Sequence, residues 1–300
     1  MKIIEPKVEL WQQGDDAKAH VARCARVCYG RKSGNDEATI KRLINDNHWS
    51  MFRHESVYAA IPIKNADNLI PAIISDYKHC PYIKYTTYNN ICYIVTNGNF
   101  MLDIEDRNPE LYNIIRRYQI SEDEVKSVEY IFNHFVRYTF CIDTQISISR
   151  ELNRVSPNNI AEKSTRYVYE DGSICRPHWL NGYYICKDIV GRYDVYKDGK
   201  RDTDINHKVL TYIESCDFSF AKYKYLVEAG LHRQDARGVL PFDTATRCIY
   251  TYSIDEWRHI IDMRYYGTTG KPHPNAKIIA GMIRNNLMEL GYDFRVGINI

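Results

Sequence analysis

The sequence contains no long uncharged apolar run, and its N-terminus, M-K-I-I-E-P-K-V-E-L, has no apolar signal core. A secreted or membrane-spanning protein is therefore not expected, and the reading is cytoplasmic. No C-x-x-C occurs among the nine cysteines. Their odd number, in a chain too long to need a disulfide scaffold, reads as reduced thiols. No basic tail or Lys/Arg block is present, and the formal net charge is only +2. Nucleic-acid binding has no electrostatic support, so an anionic partner must be caught locally by a few placed arginines. P-loop, G-x-G-x-x-G and G-x-S-x-G patterns are also missing, which leaves a Rossmann-type cofactor site without a signature. Cys175-x-x-His178 is a lone pair and His273 precedes a proline, so a four-ligand metal site is not expected.

What is present is a 300-residue chain with 44% hydrophobic and 26% charged residues, ordinary values for a globular protein with a sizeable core. Its 25 tyrosines suit half-buried strands and ring-stacking surfaces. The pattern predicts a strand over 3–10 and helices over 16–28, 37–46 and 66–77, with Ile40, Leu43 and Ile44 on one face of the second. A Tyr/Ile/Val-rich stretch around Asn97-Gly98 reads as a hairpin. Ser121 with Glu124, and Ser253 with Glu256, have capping-box spacing; the first is expected to start a helix of about a dozen residues. F-V-R-Y-T-F-C-I-D reads as a buried strand running into the helix I-S-I-S-R-E-L. Residues 168–202 read as an irregular insertion. A long helix with Val209, Ile213, Cys216, Phe220 and Leu226 inward is expected before Gly230, and a last helix runs from Pro274 to Leu290. Helices and strands alternate irregularly, which predicts an α+β fold rather than a doubly wound parallel sheet.

Residues 150–167, R-E-L-N-R-V-S-P-N-N-I-A-E-K-S-T-R-Y, place Arg150, Arg154 and Arg166 among Glu151, Glu162 and Ser164. Arg264 shares an apolar helix face with Trp257 and Ile260. A buried guanidinium needs a partner. Arg264 is thus either in a structural ion pair, snorkelling to water, or waiting for an anionic or carbonyl-bearing ligand. Arg237, in Q-D-A-R-G-V-L-P, reads by itself as a surface residue. Arginine offers a planar donor fork suited to phosphate or a pyrimidine edge.

These segments resemble the flavin-dependent thymidylate synthases. The family motif R-H-R-x-x-S-x-N-E-x-S-x-R-Y is similar to R-V-S-P-N-N-I-A-E-K-S-T-R-Y at 154–167, with Arg154, Glu162, Ser164, Arg166 and Tyr167 matching. A-R-V-C-Y (25–29), N-H-W-S-M-F-R-H-E-S-V (47–57), A-R-G-V-L-P (236–241) and Y-T-Y-S-I-D-E-W-R-H-I-I-D-M-R (250–264) with His273-Pro274 resemble other family segments, in the family's order.

The resemblance implies one domain over 1–300, with insertions near 62–135 and 168–205. It implies an α+β fold with a mixed or antiparallel sheet and long helices, and a homotetramer with shared active sites. It also implies reductive methylation of dUMP to dTMP, with methylenetetrahydrofolate giving the carbon and FAD, reduced by NADPH, giving the hydride. By position, Glu151, Arg154, Glu162, Ser164, Arg166, Arg237 and Arg264 would line the dUMP site, with Arg264 as the catalytic cation facing the uracil. His48, Ser50, Arg154, Val155, Ser156, Ser253 and His259 take the flavin-contacting positions.

Val155 and Ser156 replace the motif's His and second Arg, Asn159 its Ser, and Ala161 its Asn; Asp255 stands where the family often carries a basic residue. These departures leave two alternatives beside the methylase: a related enzyme that leaves another group on C5, such as hydroxymethyl, and a non-catalytic nucleotide-binding homologue.

Overall fold

The computed structural model describes residues 1–65, 76–201 and 207–294. At its centre is a four-stranded antiparallel sheet in the order Lys7–Trp11, Arg137–Gln145, Ala245–Ser253, Ile160–Glu162. The two inner strands pair over nine residues, from Ala245 opposite Gln145 to Ser253 opposite Arg137. Arg137–Gln145 is covered on both faces, so all of its residues but Asp143 are buried, the polar ones included.

One face of this sheet presents Tyr138, Phe140, Ile142, Cys248, Tyr250 and Tyr252 to the helices Ile146–Leu152, Ile254–Ile261 and Pro274–Glu289. The opposite face presents Trp11, Cys141, Ala161 and Ile249 to the helix Ala17–Cys28. A second antiparallel sheet runs Lys84–Tyr88, Ile91–Asn97, Ser56–Pro62, Gln119–Ile120, backed by the helices Gly98–Arg107 and Pro109–Arg117. A three-stranded meander (Tyr183–Lys187, Tyr193–Lys197, Lys200–Arg201) shares a core with the long helix His207–Glu228. Lys2–Ile4 and Ser173–Cys175 form a short parallel pair. The architecture is α+β, as expected. Among the described residues no helix is long and apolar enough to cross a membrane.

Several local expectations are corrected. The strand predicted over 3–10 is two strands, Lys2–Ile4 and Lys7–Trp11, split at Glu5-Pro6, where proline withholds a ladder donor. The hairpin turns at Asn89-Asn90, both at positive φ, and not at Asn97-Gly98. Asn97 instead caps the helix Gly98–Arg107, its side chain accepting from the Phe100 N–H. A Cβ on Gly98 would lie 2.1 Å from Glu55 Oε2, so the glycine serves close packing. The Ser121 box is present, but its helix stops after Lys126 and a second short one spans Glu129–His134. Ile44 is 43% exposed while Ile40 and Leu43 are buried. Of the segment predicted irregular over 168–202, the described residues 168–201 hold the meander and the strand Ser173–Cys175. Of the helix predicted over 66–77, residues 66–75 lie outside the described residues.

A buried polar chain crosses the sheet beneath the helix Ala17–Cys28. His20 Nε2 meets Thr139 Oγ1 at 3.2 Å, Thr139 meets Thr251 at 2.7 Å, and His54 Nδ1 meets Thr251 Oγ1 at 2.8 Å. Burial, reinforced by nearby arginines, lowers the pKa of His20 to about 4 and, with His20 itself, that of His54 to about 3.

Both imidazoles stay neutral in the fold while the unfolded chain takes up protons below about pH 6.5. Their stabilisation is therefore complete above that pH and is lost as pH falls toward 4 and 3. Each is expected to contribute a loss on the order of 2 kcal/mol between pH 7.5 and 5. The buried carboxylates Glu55, Glu162 and Glu170, raised mainly by burial, act with the opposite sign. Chemical denaturation of wild type against His54→Asn isolates the histidine contribution: the wild type should lose more stability over that interval, and parallel pH profiles would contradict the assignment.

Candidate active site

The strand Arg137–Gln145 runs directly into the helix Ile146–Leu152, whose last turn carries Glu151. On the neighbouring side, the capping box of Ser253 and Glu256 starts the helix Ile254–Ile261, with Trp257, Ile260 and Ile261 fully buried. The helix then widens into a turn over Asp262–Tyr266, closed by an i→i+5 bond from Gly267 N–H to Asp262 O, with Gly267 left-handed at φ 77°. Such wide turns redirect a side chain without ending the helix.

The widened turn brings Arg264 to Glu151, 113 positions away. Its Nε donates to Glu151 O at 2.7 Å, and its Nη2 lies 2.9 Å from Glu151 Oε2. That second approach is an ion pair without hydrogen-bond alignment, so the buried Nη2 keeps an N–H with no hydrogen-bond acceptor among the described residues. Arg154 Nη2 sits 3.7 Å from the same carboxylate oxygen. Burial lowers the pKa of Arg264, Glu151 raises it and Arg154 lowers it further. The result is a buried cation held by one carboxylate shared between two guanidiniums.

Glu162 ends the edge strand of the central sheet. Its carboxylate accepts from Thr246 Oγ1 at 2.9 Å, and burial raises its pKa against the hydroxyls of Thr246 and Ser149. The following residues form a tight turn. Ser164 N–H donates to Cys28 O at 3.0 Å and Ser164 Oγ accepts from Arg166 N–H at 3.3 Å.

Arg166 is exposed, its guanidinium 5.3 Å from the Tyr167 ring centre. Arg237 reaches the same turn from the other side, its Nη1 donating to Thr165 Oγ1 at 2.9 Å and its Nε to Gln234 O at 3.0 Å. Arg233 donates to Tyr167 O at 2.6 Å. Arg166, Arg233, His232 and Gln234 share a shallow cavity there. Sequence reading missed Arg233; the available signal was its position four residues before Arg237 in one short helical segment.

The remaining positions are more dispersed. His48 and Ser50 are exposed at the start of the 3-10 turn Trp49–His54. From that turn Arg53 reaches Asn158 O at 3.4 Å and lies 4.8 Å from the Tyr82 ring centre. Arg53 Nε and the neighbouring motif's Asn159 Oδ1 are buried without partners among the described residues. Val155 is half-buried and packs on the main core; Ser156 is exposed. Ser253 is buried: its hydroxyl donates to Glu256 Oε2 at 2.9 Å and accepts from Lys84 Nζ at 2.8 Å. His259 is exposed on the outer face of its helix, and Asp255 pairs with His134 at 3.1 Å. The structure thus brings together Glu151, Arg154 and Arg264 in one cluster, and Ser164, Arg166 and Arg237 in another. No hydrogen bond or ion pair among the described residues ties His48, Ser50 or His259 to either.

The described residues thus hold a buried arginine tethered to one carboxylate and an exposed cluster of arginines at the 164–167 turn. The chain belongs to the thymidylate synthase complementing protein family, whose sequence profile matches residues 117–289. It is 22% identical over 283 residues to a flavin-dependent thymidylate synthase of Aquifex aeolicus, covering 81% of this chain and 86% of that one. It is 28% identical over 137 residues to a flavin-dependent thymidylate synthase of Kosmotoga olearia, covering 44% and 55%. Among solved structures, the UMP/dUMP methylase PolB from Streptomyces cacaoi, bound with 5-Br dUMP, aligns over 97% of this chain and 93% of that chain, at 16% identity and a TM-score of 0.45.

Proposed function

We propose that this protein is a flavin-dependent thymidylate synthase that methylates dUMP at C5 to give dTMP. The observation that carries the reading is Arg264: a buried guanidinium whose Nη2 has an N–H to spare, oriented through Nε by the Glu151 carbonyl. A donor preplaced and held in position stabilises negative charge developing on a pyrimidine carbonyl oxygen better than water does, because it need not reorganise during the reaction. Glu151 balances its charge and limits its motion. Arg166 and Arg237, both exposed and free of carboxylate partners among the described residues, supply the phosphate contacts, with Ser164 shaping the turn that holds them. Glu162 is a half-buried carboxylate fixed by Thr246 at the same strand end.

The residues present fit a flavin. Arg53 Nε and Asn159 Oδ1 are buried polar atoms without partners among the described residues; Arg53 shares a 3-10 turn with exposed Ser50, which His48 precedes, and exposed Arg154 lies in the Asn159 segment. Those five residues would hold FAD, which supplies the hydride when reduced, with NADPH as reductant and methylenetetrahydrofolate as carbon donor in this proposal. Val155 offers no polar atom, and the Ser253 hydroxyl is already engaged by Lys84 and Glu256. In this reading the chain is one domain with insertions near 62–135 and 168–205, works in the cytoplasm, and assembles as a homotetramer that shares its active sites.

A second reading, transfer of a different C5 group such as hydroxymethyl, is favoured by the packing of Val155 into the core where the family motif has histidine. Incubation with FAD, dUMP, methylenetetrahydrofolate and NADPH, followed by mass spectrometry of the nucleotide, separates the two. A gain of one methyl group supports the first reading and a hydroxymethyl product the second. Unchanged dUMP, with folded protein that binds it, would overturn both and leave a nucleotide-binding homologue.

A further inference from the structure

A cavity of about 690 Å³ lies on the other face of the central sheet, against the helix Ala17–Cys28. That is within the ~300–1,000 Å³ of small-molecule sites. Lys163 and Thr246 in its wall adjoin Glu162, but the pairing register turns the Glu162 side chain to the other face of the sheet. Trp11, Glu9, Asp143 and Arg247 point to this side, whereas Cys248, which lies opposite Glu162, faces the helices on the far side.

The charges in its wall do not cancel. Asp143 is occupied by a two-pronged contact with Arg247, both bonds at 2.7 Å. Glu9 is paired with Lys7 and accepts from the Trp11 indole N–H. Lys163 is neutralised by buried Glu170 at 2.7 Å. Asp171 accepts from Ser173 and lies 3.8 Å from Lys2. Three cations remain, Arg23, Arg31 and Lys32, with no carboxylate within ion-pair distance among the described residues. Arg23 lies flat enough on Trp11 to place its carbon centre 3.6 Å from the ring centre. One face of that guanidinium is thereby taken by the indole, while the residue as a whole stays exposed.

We propose that this cavity binds a phosphate-bearing aromatic molecule of the mononucleotide class, at a site separate from the Arg264 cluster. The ligand ring stacks on the free face of Arg23, extending the Trp11–Arg23 pair by one layer, and its phosphate lies between Arg31 and Lys32. Stacking on a planar guanidinium already backed by an indole gives the ring a preformed platform. The unpaired charges give the phosphate its attraction.

The test is calorimetric titration of the full chain with dTMP, and separately with inorganic phosphate. The expected result is a dTMP site that Arg31→Glu/Lys32→Glu weakens at least tenfold and that Arg23→Lys weakens several-fold while keeping the charge. Arg166→Ala/Arg237→Ala should leave that site intact and remove any binding at the Arg264 cluster. The two sites are therefore read apart, and the cavity site stands even if the proposed reaction does not. Residues 31 and 32 are exposed, and an unchanged melting temperature confirms that the charge-reversal variant is folded. Binding of dTMP that ignores all substitutions at 23, 31 and 32, or the absence of any site dependent on them, overturns the proposal. Inorganic phosphate binding as tightly as dTMP overturns the stacking role of Arg23.

Discussion

Arg264→Ala is expected to reduce dTMP formation by about 10²–10³-fold, the usual consequence of removing one preplaced donor from a charge-developing site. The loss should fall mainly on kcat, because the phosphate contacts assigned to Arg166 and Arg237 remain. Glu151 is reachable by water once its partner is gone, so the fold should survive the substitution. Arg264→Lys retains the charge but cannot make the same pair of approaches to Glu151 O and Glu151 Oε2, and an intermediate rate is expected. Single-turnover measurements with dUMP saturating check this. If Arg264→Ala turned over dUMP at the wild-type rate, the Arg264–Glu151 pair would be structural only, and the proposed mechanism would lose its central cation.

The second large effect concerns stability. Arg137 is 8% exposed and has no carboxylate within ion-pair distance among the described residues. Its guanidinium instead donates to Arg53 O and Glu55 O, both at 2.7 Å, with longer contacts to Thr96 O, Ser56 Oγ and Thr251 O. These acceptors come from both four-stranded sheets and the turn between them, so one side chain ties the sheets together. Replacing Arg137 by methionine removes the donors and leaves buried carbonyls without partners. A loss of about 3–5 kcal/mol is expected, since each abandoned polar group carries its own desolvation penalty. In a chain of this size that corresponds to roughly 5–8 °C in melting temperature. Denaturant unfolding checks it, with Arg137→Lys expected to lie between the two. A methionine variant as stable as wild type would show that water satisfies those carbonyls.

The order of elements and most caps were legible in the chain because their causes are local. Ser253 with Glu256 predicted a helix start that the structure reproduces with both reciprocal bonds, and Asn97 shows the same rule applied at an unexpected place. Asn97-Gly98 and Asn89-Asn90 are both good turn sequences, and nothing local separates them. The distinction comes from Glu55, which lies against Gly98 and leaves no room for a Cβ. The 168–202 segment looked irregular because its strands are short, polar and only half-buried. Their apolar positions become readable as a pattern only against the helix His207–Glu228.

The candidate site divides along the same line. Sequence alone determined that Arg264 lies on an apolar helix face, that the arginines and glutamates of 150–167 form one dense segment, and that the motif segments come in a family's order. Those properties depend on residue spacing within a few turns. The tertiary structure decided that Glu151 is the partner of Arg264, that Arg237 and Arg233 close on the 164–167 turn, that Val155 packs inward, and that Ser253 spends its hydroxyl on Lys84 and Glu256. Each depends on atoms far apart in the chain coming into contact, which is fixed by how helices pack on a sheet and not by any local preference.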